Sequence, residues 1–124
     1  MKEIIVNNDF QTLLQTIEDI SKDKSKSILV LLTGSKDPNG QSWCPDCVRA
    51  EPVIHDVLSD KSDDTVLVTT YIDRDPWKKA DNSFRTHSQL RAKCVPTLIN
   101  WQTSNRLEEG QLLDKQLLEM LLEE

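Results

Sequence analysis

No run of basic residues, no long apolar stretch and no dense set of cysteines occurs in this chain of 124 residues. Each absence argues against a class of function. Lysine and arginine number 15 against 21 acidic residues, for a net charge of −6, and they are scattered. Such a surface favours solubility and repels the phosphates of nucleic acid. The longest purely aliphatic stretch, Ile28–Leu32, has five residues, where a membrane helix requires about 20. The N-terminus passes from Met1-Lys2-Glu3 through Ile4-Ile5-Val6 to Asn7-Asn8-Asp9, without the apolar core and cleavage site of an export signal. The expected setting is the cytoplasm, with neither membrane nor nucleic acid as partner. Three cysteines are too few, and the wrong parity, for a secreted disulfide scaffold.

What is present is enough for one globular domain spanning residues 1–124. A chain of this length buries about two-thirds of its unfolded surface and needs no metal or disulfide as a staple. No repeat, low-complexity segment or linker interrupts it. Residues 2–6 are a strand candidate. Phe10, Leu13, Leu14, Ile17 and Ile20 then recur at the spacing of one helical face behind the capping signal Asn8-Asp9. Ser27–Thr33 reads as a strand buried on both faces. Gly34–Ser42 is an irregular loop, and a helix follows from Cys44 with Cys47, Ala50, Ile54, Val57 and Leu58 facing inward. Thr65–Ile72 is a second central strand. Asp73–Asn82 is a loop, Ser83–Leu90 at most a short helix, and Thr97–Trp101 with Arg106–Glu109 a hairpin. A last helix, Leu112 to Leu122, presents Leu113, Leu117, Met120 and Leu121. The pattern predicts an α/β fold, a mixed central sheet of about five strands flanked by helices on both faces. Each helical stripe is needed for that one core, so a monomer is expected.

The chemistry concentrates in Trp43-Cys44-Pro45-Asp46-Cys47 and in the later Val95-Pro96-Thr97. Two cysteines separated by two residues can close a disulfide ring reversibly. Pro45 suits a first helical position, which places Cys44 at the helix N-cap, facing free backbone N–H groups and the positive end of the dipole. Both favour thiolate. Lowering a cysteine pKa from about 8.5 to about 7 raises the thiolate fraction at neutral pH from roughly 3% to roughly half. Cys44 is therefore the candidate nucleophile and Cys47, one turn further in, the resolving partner. Asp46 is favoured by the dipole as a helix stabiliser. Its charge beside both sulfurs also makes it, with Pro45, a candidate for tuning the redox couple. Pro52 falls inside the helix, where it removes a hydrogen bond and introduces a kink. A zinc knuckle is the competing reading of the pair, but structural zinc takes four ligands, and only the widely spaced Cys94, His55 and His87 remain. The two histidines show no partner in the sequence and read as solvated. Cys94 is either a redox-regulated thiol near the rim of the site or a half-buried small residue. Trp43 packs beside Cys44 and shapes the substrate surface, whereas Trp77 and Trp101 read as packing residues.

These residues together resemble the thioredoxin superfamily, and more closely the thioredoxin domain-containing protein 17 family. The carriers are the stretch GSKDPNGQSWCPDCVRAEPV (Gly34 to Val53), NSFR (Asn82–Arg85) and VPTL (Val95–Leu98). The resemblance implies a thioredoxin fold and a cytosolic protein-disulfide reductase with no bound cofactor, drawing electrons from NADPH through thioredoxin reductase. Its substrates would be disulfide-containing proteins and small disulfides such as cystine, and peroxidase activity would accompany it. It further implies a cis peptide bond at Val95–Pro96, beside which an extended substrate pairs as an added strand. Ordinary thioredoxins keep a buried aspartate that assists proton transfer where this chain has Leu31, so here Cys47 would need water or another carboxylate, with Asp46 and Glu51 as the candidates. A thiol peroxidase using Cys44 and Cys47 and a non-enzymatic, redox-dependent adaptor are the alternative readings.

Overall fold

The computed structural model describes residues 1–124. Five strands form one sheet in the order β1-β3-β2-β4-β5. They are β1 (Lys2–Asn7), β2 (Ser27–Gly34), β3 (Thr65–Ile72), β4 (Thr97–Asn100) and β5 (Arg106–Glu108). The first three run parallel, and β4 and β5 are antiparallel to their neighbours. Side chains alternate across a strand, so β2 supplies two cores at once. Ile28, Val30 and Leu32 join the larger cluster with Leu13, Ile17 and Val68. Leu29 and Leu31 join the second, with Ala50, Ile54 and Leu118.

Helix α1 (Phe10–Ser21) buries Leu13 and Ile17 in the first cluster. Its N-cap is Asp9, whose carboxylate accepts the Thr12 N–H at 3.1 Å. That hydrogen bond holds the Asp9 carboxyl below its ordinary range. Helix α2 (Pro45–Leu58) covers the opposite face and buries all five predicted residues, Cys47, Ala50, Ile54, Val57 and Leu58. The helix continues through Pro52. The missing N–H falls on the outer face, where Val48 and Pro52 are both exposed and the unpaired Val48 carbonyl stays near water.

Two segments differ from expectation. The Asp73–Asn82 loop contains a helical turn, α3 (Arg74–Trp77), that buries Trp77. Pro76 is tolerated because the first N–H groups of a helix have no intrahelical partner. A second short helix, α4 (Ser83–Thr86), is capped by Asn82 accepting the Phe84 N–H. At the C-terminus the expected single helix is two pieces, a 3-10 turn (Glu109–Leu113) and α5 (Lys115–Leu122). Asp114 divides them, its extended backbone ending the turn while its carboxylate caps Gln116 and Leu117. The break rotates the inner face, so Leu112, Leu118 and Leu121 are buried while Leu113 and Met120 are exposed. No helix is long and apolar enough to cross a membrane.

Candidate active site

Strand β2 ends at Gly34, and the chain loops out before returning into α2 at Cys44. The loop is braced from within. The Asp37 carboxylate accepts the N–H groups of Asn39 and Gln41 at 2.9 and 3.0 Å, and Lys36 bridges Ser42 across the neck. Lys36 also donates to Glu51 of α2 at 2.9 Å and lies 5.6 Å from the centre of the Tyr71 ring. The Glu51 carboxylate raises the Lys36 pKa above its ordinary value, while burial is the main cause that raises Tyr71. A long connection is thereby fixed at its neck to the helix that carries the cysteines.

At the junction Cys44 is the N-cap of α2, extended at φ −107° and ψ 105°, with Pro45 behind it in the first turn. Cys44 and Cys47 form a disulfide with Cα atoms 5.2 Å apart, an ordinary separation for such a bond. Two backbone N–H groups address the sulfurs. Cys47 N–H lies 3.2 Å from Cys44 Sγ, and Gly34 N–H lies 3.4 Å from Cys47 Sγ. Donors aimed at sulfur stabilise thiolate relative to thiol. Ser42 ties the pieces together, its hydroxyl donating to the Gly34 carbonyl at 3.0 Å and accepting the Cys44 N–H at 3.2 Å. The Trp43 indole donates to the Ile72 carbonyl at 2.9 Å and so holds its ring beside the disulfide.

Opposite the helix end, Val95–Pro96 is a cis peptide bond, and the Val95 carbonyl lies 3.7 Å from Cys44 Sγ. Neither the N–H nor the C=O of Val95 has a backbone partner. The structure thus brings Trp43, Cys44, Cys47, Val95 and Pro96 to one place.

Asp46 sits in the first turn of α2 and pairs with Arg49, which offsets part of its charge. Leu31 is 1% exposed within the α2-side cluster, so no carboxylate occupies that interior position. Glu51 is engaged by Lys36. The polar group found at the Cys47 sulfur is instead the Gly34 N–H, which sequence reasoning did not single out. Its only trace in the sequence is a glycine ending a strand otherwise made of bulky residues.

The remaining candidates separate clearly. His55 is half-buried, with Nδ1 2.9 Å from the Glu51 carbonyl and Nε2 3.3 Å from the Glu3 carboxylate. His87 accepts the N–H groups of Gln89 and Leu90 through Nδ1 and meets the Phe10 ring edge-on. Neither is the unpartnered side chain the sequence suggested. No three His, Cys, Asp or Glu side chains converge as a metal site. Arg85, from the Asn82–Arg85 motif, stacks on Trp77 at 3.7 Å and donates to the Trp77 carbonyl at 2.7 Å. Cys94 lies 3.7 Å from the Thr97 hydroxyl and 3.6 Å from the Glu108 carboxylate. Burial raises its pKa to about 11. A hundredfold smaller thiolate fraction than at the ordinary value of 9.0 follows for pH 7, to order of magnitude. In the oxidised protein, iodoacetamide should therefore label Cys94 about a hundredfold more slowly than an exposed peptide thiol. Mass spectrometry over a time course checks this, and a rate equal to the peptide's would contradict the buried environment.

A helix-capping Cys-x-x-Cys facing a cis-proline, on a mixed sheet of this order, defines a thiol–disulfide oxidoreductase of the thioredoxin fold. The family model "Thioredoxin domain-containing protein 17-like, thioredoxin domain" matches residues 6–124. The human thioredoxin domain-containing protein 17 is 40% identical over 106 residues, which cover 85% of each chain, and its Mus musculus counterpart is 38% identical over the same shares. The thioredoxin-like protein Clot of Arabidopsis thaliana is 35% identical over 117 residues, 90% of this chain and 87% of the other. The chain belongs to the thioredoxin domain-containing protein 17-like family.

Proposed function

We propose that this protein is a cytoplasmic disulfide reductase acting on small disulfides such as cystine and on protein disulfides, re-reduced by NADPH through thioredoxin reductase. The observation that carries the reading is the unpaired backbone of Val95 beside the Cys44–Cys47 sulfurs. An extended substrate can pair with it as an added strand and present its own disulfide to Cys44.

In the reduced protein the Cys44 thiolate attacks one sulfur of the substrate. A Cys44–substrate disulfide forms as the substrate S–S bond breaks, and the first substrate thiolate leaves and takes a proton from water. Cys47 then gives its proton to water and attacks Cys44 Sγ as the thiolate, which closes the intramolecular disulfide and expels the second substrate thiolate, itself protonated by water. Two electrons have passed to the substrate. NADPH restores them through the reductase, yielding NADP⁺. Pro45 and Asp46 set the redox poise, Trp43 and Val95–Pro96 hold the substrate, and no bound cofactor or second subunit takes part.

The test is NADPH oxidation with thioredoxin reductase, this protein and cystine. Steady consumption dependent on all three supports the reading. Consumption only on adding hydroperoxide would move the assignment to a thiol peroxidase. No consumption with either substrate, combined with redox-dependent binding of a partner, would favour an adaptor.

A further inference from the structure

Two cations stand just before the cis-proline without partners in the chain. Arg91 and Lys93 are exposed, and neither side chain enters an ion pair. Between them Ala92 is buried at 2% exposure and anchors the segment. Arg91 adopts a left-handed backbone at φ 39°, uncommon for a residue with a side chain. Arg106 of β5 braces the turn beneath, donating to the Leu90 carbonyl and, at 3.1 Å, to that of Gln89.

Arg91, Lys93, Arg106 and Glu108 line a shallow cavity of about 210 Å³. The one carboxylate there is engaged, since Glu108 accepts the backbone N–H of Gln111 and faces the Cys94 thiol. Glu109 is the other acidic neighbour, and Arg85 adds a further cation from behind through the Lys93 carbonyl. The rim is locally positive on a chain whose net charge is −6. Acidic partners are repelled by most of this surface and attracted here.

The position relative to the site gives the patch its meaning. Lys93 is two residues from Val95, at most about 7 Å along the chain, and Arg91 at most about 14 Å. A substrate strand paired with Val95 advances by about the same step per residue. Because the left-handed turn at Arg91 shortens the segment further, side chains two to four residues from the reacting cysteine come within reach of these cations.

We propose that Arg91 and Lys93 select protein disulfides flanked by aspartate or glutamate two to four residues from the attacked cysteine. This rests on the disulfide-reductase reading and specifies its substrate class. Exposed charge pairs are individually weak, so the expected preference over a neutral flank is about 5- to 10-fold in the second-order rate constant.

The test uses the full-length protein, pre-reduced and then freed of reductant, in single turnovers that need no reductase. Three peptide disulfides with identical cores carry Glu, Gln or Lys flanks, and hydroxyethyl disulfide serves as the uncharged control. The wild type should reduce them in the order Glu, Gln, Lys, with the spread collapsing at high salt. Arg91→Glu/Lys93→Glu should invert the order and leave the control rate unchanged. Equal rates for the three peptides, or an order unmoved by the double variant, would overturn the proposal while the reductase reading stands. Failure to reduce even the uncharged control would bring down that reading and the proposal with it.

Discussion

Replacing Cys44 with serine should reduce the rate of disulfide reduction by at least about a thousandfold. An alkoxide precursor with an ordinary alcohol pKa replaces the one thiol that caps α2. The loss should be chemical rather than structural, because serine is itself a good N-cap and can accept the Cys47 N–H now directed at Cys44 Sγ at 3.2 Å. Thermal unfolding of the variant and the reduced wild type should therefore nearly coincide. Cys47→Ser should behave differently. Cys44 can still attack, but nothing resolves the product, so the protein accumulates as a covalent mixed disulfide at a stoichiometry of one. Intact-mass spectrometry distinguishes the two. Trapping by the Cys44 variant in place of the Cys47 variant would reverse the assigned roles.

The second large effect is expected at Gly34. A Cβ there would lie 2.8 Å from Cys44 Cβ, 2.8 Å from Ser42 Oγ and 3.0 Å from Trp43 Cε2. Two of these neighbours are held firmly, Cys44 by its place at the head of α2 and Trp43 by its bond to the Ile72 carbonyl. The methyl group of Gly34→Ala must push the cysteine loop away from β2, and overpacking of this kind costs about 1–3 kcal/mol. The shift also pulls the Gly34 N–H from Cys47 Sγ, so the thiolate loses a donor. The urea midpoint should fall and the Cys47 resolution step should slow together, with mixed disulfide detectable at steady state. Unchanged stability and unchanged turnover would mean that β2 and the loop can separate freely, contrary to the contacts seen.

Much of this architecture was legible because it rests on local pattern. The unbroken aliphatic run of β2, the five inward residues of α2 and the strand pattern of Thr65–Ile72 each carry their own period, and all three elements occur where expected. The cysteine pair and Val95-Pro96 were legible because their spacing is itself chemical. What escaped depends on approach between distant segments. Gly34 is significant only because Ser42, Trp43 and Cys44 fold back onto it. The clasp of Lys36 on Glu51 and the stacking of Arg85 on Trp77 have no signature in either residue's neighbours. The division at Asp114 was not legible, because the apolar positions on either side of it continue one helical stripe, and Leu113 and Met120 of that expected inner face are exposed.

The loop between β2 and α2 has a further consequence for how this protein can change over time. Its neck is shut by the Lys36–Ser42 bridge and its interior by Asp37, leaving Asn39 and Gly40 exposed at the tip. Gly40, at φ 83°, has nothing within 4 Å of an added Cβ. Residues inserted between 39 and 40 would open the turn that Gly40 N–H closes on the Asp37 carbonyl at 2.9 Å. Lengthening a closed loop costs entropy only logarithmically, however, and the Lys36–Ser42 neck would still stand between them and the sulfurs. The tip is thus a place where lineages can add or lose sequence, and where a tag or fluorophore can be carried, with the redox couple left as it was.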